Sequence, residues 1–354
     1  MHSKKVQAWG ASAPTVLVVN FCAHTSDLNF ERALYSHGGQ QLRLFMKKAG
    51  FDMDTVHYAS LIPFAPILDQ TERLLVPAKG IPNELKKWLK VGTKYLKPDL
   101  FPHLAEFQSL LKRLKPNLVI TLGTEATSLI TGEQKHSEVR GTVMPSILDS
   151  SIKVMPITHP AGIFRMPQAQ VVFSADLAKA VKETKFPEVR RVRREITIPE
   201  TFEDCQDWWR VNGIKGGMLT VDIETVPSYK VITCIGFATS TTKGLTIPLY
   251  QKDKAGGHYW SPSEELYVVQ FIGALLANPA FELNFQGGAY DVQWIYEQLG
   301  LPSMNYRHDT MLMHHALYPE MRKGLGFLAS LYTTEPSWKG MVSFKKDAGD
   351  KADG

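Results

Sequence analysis

Met218-Leu-Thr-Val-Asp222-Ile-Glu224-Thr225 is the stretch on which the reading of this chain turns. It opens as a mostly apolar run, which places it in extended conformation, and the run ends on two acids two positions apart. Along a strand, neighbours alternate faces and residue i+2 returns to the first face, so Asp222 and Glu224 point the same way. Two carboxylates side by side repel unless a cation lies between them. Hard divalent cations take oxygen ligands, and Mg²⁺ needs only one or two carboxylates together with phosphate oxygens. A third acid, Asp291, follows 67 residues after Glu224 in Phe285-Gln-Gly-Gly-Ala-Tyr-Asp291, just ahead of Val292-Gln-Trp294-Ile295. Asp222, Glu224 and Asp291 are therefore the candidate catalytic and metal-ligating residues. They point to phosphodiester chemistry.

The bulk properties agree with such a partner without requiring it. At 354 residues the chain is too long for one ordinary core and fits two domains. Hydrophobic content of 44% and charged content of 21% describe a globular protein. A formal charge of +5 is a mild basic excess, compatible with nucleic acid. Cys22, Cys205 and Cys234 are scattered and odd in number, which excludes a four-cysteine zinc or iron–sulfur site and suits a reducing compartment. No run of about 18 apolar residues occurs and Met1-His-Ser-Lys-Lys5 lacks an apolar signal core, so no membrane partner is expected. The expected location is the cytoplasm.

In the first third, Pro14 to Val19, Val56 to Tyr58, Pro116 to Leu122 and Val154 to Thr158 read as strands. Helical patterns run through Gln40 to Met46, stopping at Gly50, and through Leu104 to Leu114. Residues 62–102 read as loop with one helix from Asn83 to Trp88. Alternating strands and helices predict a parallel α/β sheet. Residues 185–213 read as a linker and connecting helix, with Arg190, Arg191, Arg193 and Arg194 crowded at its centre. That cluster is either a solvated connector or a phosphate-contacting strip, since the arginine fork suits phosphate. Beyond it come a meander (Met218 to Asp222, Tyr229 to Ala238, Gly244 to Leu249), a helix from Glu264 to Leu276 and a strand from Phe281 to Phe285. Helices follow at Trp294 to Leu299, Thr310 to Leu317 and Leu325 to Tyr332.

Asp-x-Glu alone is common by chance; its context is not. Val221 to Thr225 followed by a meander resembles the first motif of the DEDD-type 3′–5′ exonucleases, and Phe285 to Trp294 resembles their second. Tyr306-Arg-His-Asp309-Thr with Lys323-Gly-Leu-Gly-Phe-Leu-Ala-Ser-Leu-Tyr332 is similar to the proofreading domain of phage-type family A DNA polymerases. The resemblance implies an RNase H-like α/β domain over 214–354 that removes 3′ nucleotides from single-stranded or frayed DNA with two Mg²⁺ or Mn²⁺ ions about 3.5–4 Å apart. It makes Asp222 the bridging ligand, Glu224 the ligand that orients water, and Asp291 the partner of the second ion. Thr225 and Tyr290 become contacts to the terminal nucleotide, with Tyr290 also read as packing. Asp309 reads as a helix-start residue. Two departures stand out: Gly287-Gly288 replaces the usual Asn-Gly, and no Tyr-x-x-x-Asp follows before Gly354. The expectation is a chain that stops before its fourth acidic motif and a polymerase domain, and that turns over weakly alone.

Residues 1–184 carry a second resemblance. Pro116-Asn-Leu-Val-Ile-Thr-Leu-Gly123-Thr-Glu-Ala126, Arg140-Gly141 and Pro156-Ile-Thr-His159-Pro160-Ala161 are similar to the uracil-DNA glycosylase superfamily, with Gly38-Gly39-Gln40 at a helix start. This implies a three-layer parallel-sheet domain in which His159 contacts DNA near a flipped base. Asn20-Phe21-Cys22-Ala23-His24 stands where that family holds its water-positioning residue, and Phe21 cannot polarise water. The closest resemblance is to the superfamily's iron–sulfur members, but their cluster cysteines are absent, so no iron–sulfur cluster is expected. Asp27 or His24 is the available substitute. Three functions follow. The first is an exonuclease working with a DNA polymerase domain or subunit, in a host cytoplasm if phage-encoded. The others are a non-catalytic DNA-binding or polymerase-docking module, and a uracil-excising enzyme.

Overall fold

The computed structural model describes residues 3–165, 169–251, 253 and 256–335. The polar composition of Phe344 to Gly354 reads as solvated linker, and the stretch lies outside them. The chain divides into two compact units. One runs to Arg190 and takes in the segment from Gly326; the other is Arg191–Leu325.

The first unit is built on four parallel strands, β1 (Val16–Cys22), β2 (Val56–Ile62), β3 (Leu118–Leu122) and β4 (Lys153–Ile157). They lie in the order β2-β1-β3-β4, with short antiparallel strands Trp9–Gly10 and Met144–Pro145 at the two edges. Every residue of β1 is buried, as expected of a strand covered on both faces. Its alternation feeds two cores. Val16 and Val18 pack with Leu42 and Met46 of α1 (His37–Ala49) and with Phe173 and Leu177 of Ala169–Glu183. Leu17 and Val19 pack with Leu104, Phe107 and Leu111 of α2 (Phe101–Leu114) and with Leu129 of α3 (Thr124–Thr131). A fully buried leucine such as Leu42 contributes on the order of 2 kcal/mol. The helix α1 ends as its sequence demands, on Gly50 in the left-handed region at φ 94°. Residues 62–102 depart from the reading as loop. Leu75–Val76, Lys90–Val91 and Lys94–Leu96 form a small antiparallel sheet beside a helix at Asn83–Leu89. Pairs of strands this short carry too few apolar residues to show periodicity.

In the second unit the order is β5 (Glu195–Thr197), β8 (Lys243–Pro248), β7 (Val231–Ala238), β6 (Gly217–Val226), β9 (Phe281–Phe285) and β10 (Tyr306–Asp309). The meander β6-β7-β8 is antiparallel, whereas β9 runs parallel to β6 and β10 parallel to β9. Leu219, Val221 and Ile223 point into a core shared with Val268, Ile272 and Leu276 of α4 (Pro262–Ala277). That helix starts on a capping box between Ser261 and Glu264. The strand β7 begins two residues later than its apolar run, because Pro227–Tyr229 form a turn closed by Lys230 at φ 53°. Among the described residues no helix is long and apolar enough to cross a membrane. Both units are mixed α/β with parallel strands, as the sequence predicts.

Candidate active site

Alternation along β6 buries Leu219, Val221 and Ile223 and exposes Asp222 and Glu224 on the opposite face. The parallel neighbour β9 covers β6 only from Gly217 to Thr220, so beyond Thr220 this side of β6 has no strand partner. The exposed edge is met by a side chain. Ile223 N–H donates to Asp291 Oδ1 at 3.1 Å, which ties the third acid to the residue between the first two. Asp291 belongs to the first turn of α5 (Ala289–Leu299), a helix that begins ahead of the start read at Trp294. The helix starts early because Gly287, at φ 72°, turns the chain sharply. Gly288 must lack a Cβ, which would lie 2.5 Å from Phe285 Cβ and 2.8 Å from Tyr306 Oη.

Charge is concentrated here. Asp222 keeps contact with solvent, yet crowding by protein, and then the negative charges of Asp291 and Glu224, push its carboxyl up to about 6. Asp291 is buried, and burial raises it too, against the hydrogen bond from Ile223. The acids are thus close enough to oppose one another's ionisation, which a cation would relieve. They do not form a ready-made chelate: among the described residues no group of three or more Asp, Glu, His or Cys is placed to hold a metal ion. The carboxylates of Asp222 and Asp291 suit a cation that takes its remaining ligands from phosphate and water.

Asp309 has a different task. It is the N-cap of α6 (Thr310–Leu317), and its carboxylate accepts Met311 N–H at 2.8 Å and Leu312 N–H at 3.1 Å. It also accepts Gly287 N–H at 3.1 Å, Gly288 N–H at 2.8 Å and the Tyr306 hydroxyl. Burial works against its charge, but the hydrogen bonds from Tyr306, Gly287, Gly288 and Leu312 outweigh it and hold the carboxyl below the usual range. The helix-start role was legible; the anchoring of the Gly287-Gly288 turn was not. Thr225 and Tyr290 come together, with 2.7 Å between their hydroxyls. A bulge in the β6–β7 pairing between Glu224 and Thr225 re-aims Thr225.

In the first unit, a cavity of about 870 Å³ opens at the carboxyl ends of β1, β3 and β4. Strand order reverses between β1 and β3, the place where open α/β sheets form crevices. Phe21, His24, Asp69, Glu125, His136 and His159 line it. His159 follows β4 and precedes the helix Pro160–Arg165, whose Ala161 N–H donates to its Nδ1 at 3.2 Å. Asp27 is no substitute for the residue that Phe21 displaces. It is 2% exposed, and its Oδ1 accepts the N–H groups of Tyr35 and Ser36 at 3.0 and 2.8 Å. In the linker, Arg190 pairs with Glu188 and its guanidinium lies 3.7 Å from the Phe186 ring centroid. Arg193 is exposed, and Arg191 and Arg194 also make contacts.

These arrangements agree with the sequence families that the chain matches. Residues 22–185 match the uracil DNA glycosylase superfamily, and residues 197–348 match a family described as 3′–5′ exonuclease. The chain carries a glycosylase-like domain followed by an exonuclease-type domain. No curated protein matches the sequence. Among solved structures, the catalytic core of RRP6 from Trypanosoma brucei aligns at 16% identity over 42% of this chain and 38% of that one, with a TM-score of 0.32. Trypanosoma brucei RNase D in complex with GMP aligns at 15% identity over 42% of this chain and 44% of that one, at 0.32. Brucella melitensis NrnC with bound Mg²⁺ aligns at 14% identity over 40% of this chain and 61% of that one, at 0.26. The chain spans less than two thirds of each of the three.

Proposed function

We propose that the exonuclease-type domain hydrolyses 3′-terminal phosphodiesters of single-stranded or frayed DNA, as the proofreading portion of a phage-type DNA polymerase. The observation that carries this reading is the convergence of Asp222, Glu224 and Asp291, tied together by the Ile223–Asp291 hydrogen bond within the segment matched as 3′–5′ exonuclease. Asp222 and Asp291, with Glu224 beside them, would hold Mg²⁺ or Mn²⁺. When bound, the ions supply the charge that stabilises the attacking and leaving oxygens of an in-line displacement. Glu224, on the same exposed face as Asp222, orients water at the scissile phosphate. The joined hydroxyls of Thr225 and Tyr290 receive the 3′-terminal nucleotide, and bases behind it stack on exposed aromatic rings. Turnover should be slow, because Asp309 is engaged in capping and no further acid joins the set among the described residues. The site of action is the cytoplasm, that of the host if a phage encodes the chain.

A second reading, a DNA-binding or polymerase-docking module without chemistry, is favoured by the lack of a three-carboxylate cage among the described residues. Uracil excision by the glycosylase-like domain ranks third, since Phe21 replaces the family's water-positioning residue and Asp27 is engaged, which leaves His24 as the remaining substitute. The arginines at 190, 191, 193 and 194 and His159 are proposed as DNA contacts under all three.

The three separate on one substrate, a 5′-labelled single strand containing one uracil, incubated with Mn²⁺. A ladder shortening from the 3′ end supports the exonuclease. Retention on the labelled strand without cleavage supports the docking module, and one alkali-sensitive break at the uracil supports the glycosylase.

A further inference from the structure

The mouth of the first unit's cavity holds a Ser–His–Asp relay. His24 Nδ1 lies 2.7 Å from Ser26 Oγ, and His24 Nε2 lies 3.1 Å from Asp69 Oδ2. The tautomer follows from the backbone. Ser26 N–H, which can only donate, points at His24 Nδ1 at 3.2 Å, so Nδ1 carries the lone pair and Nε2 carries the proton facing Asp69. That is the polarity a nucleophile, a base and an orienting acid require.

Asp69 is placed with care. Its Oδ1 accepts Thr25 N–H at 2.7 Å and the Thr25 hydroxyl at 2.9 Å, leaving Oδ2 for the imidazole. The backbone reaches this position through two successive non-glycine residues in the left-handed region, Leu68 at φ 57° and Asp69 at φ 54°. Strain of this kind persists where surrounding structure enforces it, and it gathers at functional sites. Ser26, His24 and Asp69 all line the cavity, whose volume suits a small organic ligand. The first turn of α1 lies on the same wall at Gly38 and Gly39, whose peptide N–H groups would supply donors to a developing oxyanion.

We propose that Ser26, His24 and Asp69 make this cavity a carboxylic-ester hydrolase site, separate from the nuclease and independent of it. Ser26 Oγ adds to the ester carbonyl carbon while its proton passes to His24 Nδ1. The carbon–oxygen bond to the alcohol breaks, and the alcohol leaves with that proton. Water then repeats the sequence on the acyl-serine, releasing the acid and restoring Ser26.

The test uses the full chain in EDTA, without DNA, so its failure leaves the nuclease reading untouched. A fluorophosphonate probe forms an Oγ–phosphorus bond with loss of fluoride, and peptide mass mapping locates the adduct. The expected results are an adduct on Ser26, none in Ser26→Ala, and labelling slowed on the order of 100-fold in Asp69→Asn. The amide oxygen of the Asp69→Asn variant still accepts from Thr25, so its thermal midpoint should stay near that of the wild type, and p-nitrophenyl acetate hydrolysis should fall in parallel. An unlabelled Ser26 in the wild type would overturn the proposal. So would wild-type labelling of a folded Asp69→Asn, which would leave His24 as a helix cap and nothing more.

Discussion

Asp291 Oδ1 accepts the backbone N–H of Ile223, the residue that separates Asp222 from Glu224. One hydrogen bond therefore completes an exposed strand edge and brings the third acid to the other two. Its two functions can be separated. Asp291→Asn keeps an acceptor for Ile223 and should preserve stability while abolishing nuclease activity. Asp291→Ala leaves a buried N–H unsatisfied and should cost about 1–3 kcal/mol as well. Urea unfolding of the two variants checks this; equal destabilisation would place Asp291 outside the strand-edge role.

Asp222 bears the repulsion of Asp291 and Glu224. Replacing it with Asn removes that repulsion, so in EDTA near neutral pH Asp222→Asn should melt above the wild type. Mn²⁺ should reverse the ranking, because binding to the native state raises the wild-type midpoint and hardly affects the variant. Calorimetry with and without the ion reads both shifts.

Asp309 is held below the usual carboxylate range by the donors converging on it. Its native acidity exceeds its unfolded acidity, so its stabilising contribution is present above the unfolded pKa and fades as pH falls through the native one. Asp309→Ala should lose the cap and the anchor of the Gly287-Gly288 turn. The expected cost at neutral pH is about 2 kcal/mol or more, shrinking as the pH falls from the ordinary carboxylate range through the lowered native pKa. A stability–pH profile that stays parallel to the wild type would contradict this.

Thr225 and Tyr290 share an exposed hydrogen bond, so breaking it should hardly touch stability, within about 0.5 kcal/mol. Tyr290→Phe and Thr225→Val should instead raise KM for single-stranded DNA several-fold with a smaller change in kcat. Steady-state kinetics on oligonucleotides of increasing length separates this from a structural role.

Arg140 and Asp176 form a buried ion pair, with Arg140 Nη2 also donating to Ser330 Oγ at 2.7 Å and the Lys179 ammonium donating to Ser330 O. Removing Arg140 leaves buried Asp176 with the Lys179 ammonium, 3.3 Å away, as its remaining ionic partner, so Arg140→Ala should cost about 3 kcal/mol, the low end for breaking a buried pair. Thermal unfolding would show it.

The parallel sheet of the first unit was legible because its strands are continuous apolar runs and its helices carry a clear apolar face. The acids of β6 were legible because alternation fixes their side of the sheet. Asp291 was placed one structural step away, since nothing before Trp294 announces a helix except two glycines whose role is steric. The strand β10, Tyr306–Asp309, was not legible because it is four residues long and carries Arg307, His308 and Asp309, which give no apolar run. The meeting of His24 with Asp69 depends on a left-handed turn at Leu68-Asp69, where neither residue type signals one.

In the proposed function the acids of β6 and α5 cut DNA from its 3′ end. A time course of a 5′-labelled single strand with Mn²⁺, run beside Asp222→Ala, tests it most directly. Progressive single-nucleotide shortening by the wild type, absent in the variant, is the predicted result. Equal degradation by both proteins, or shortening from the 5′ end, would contradict it.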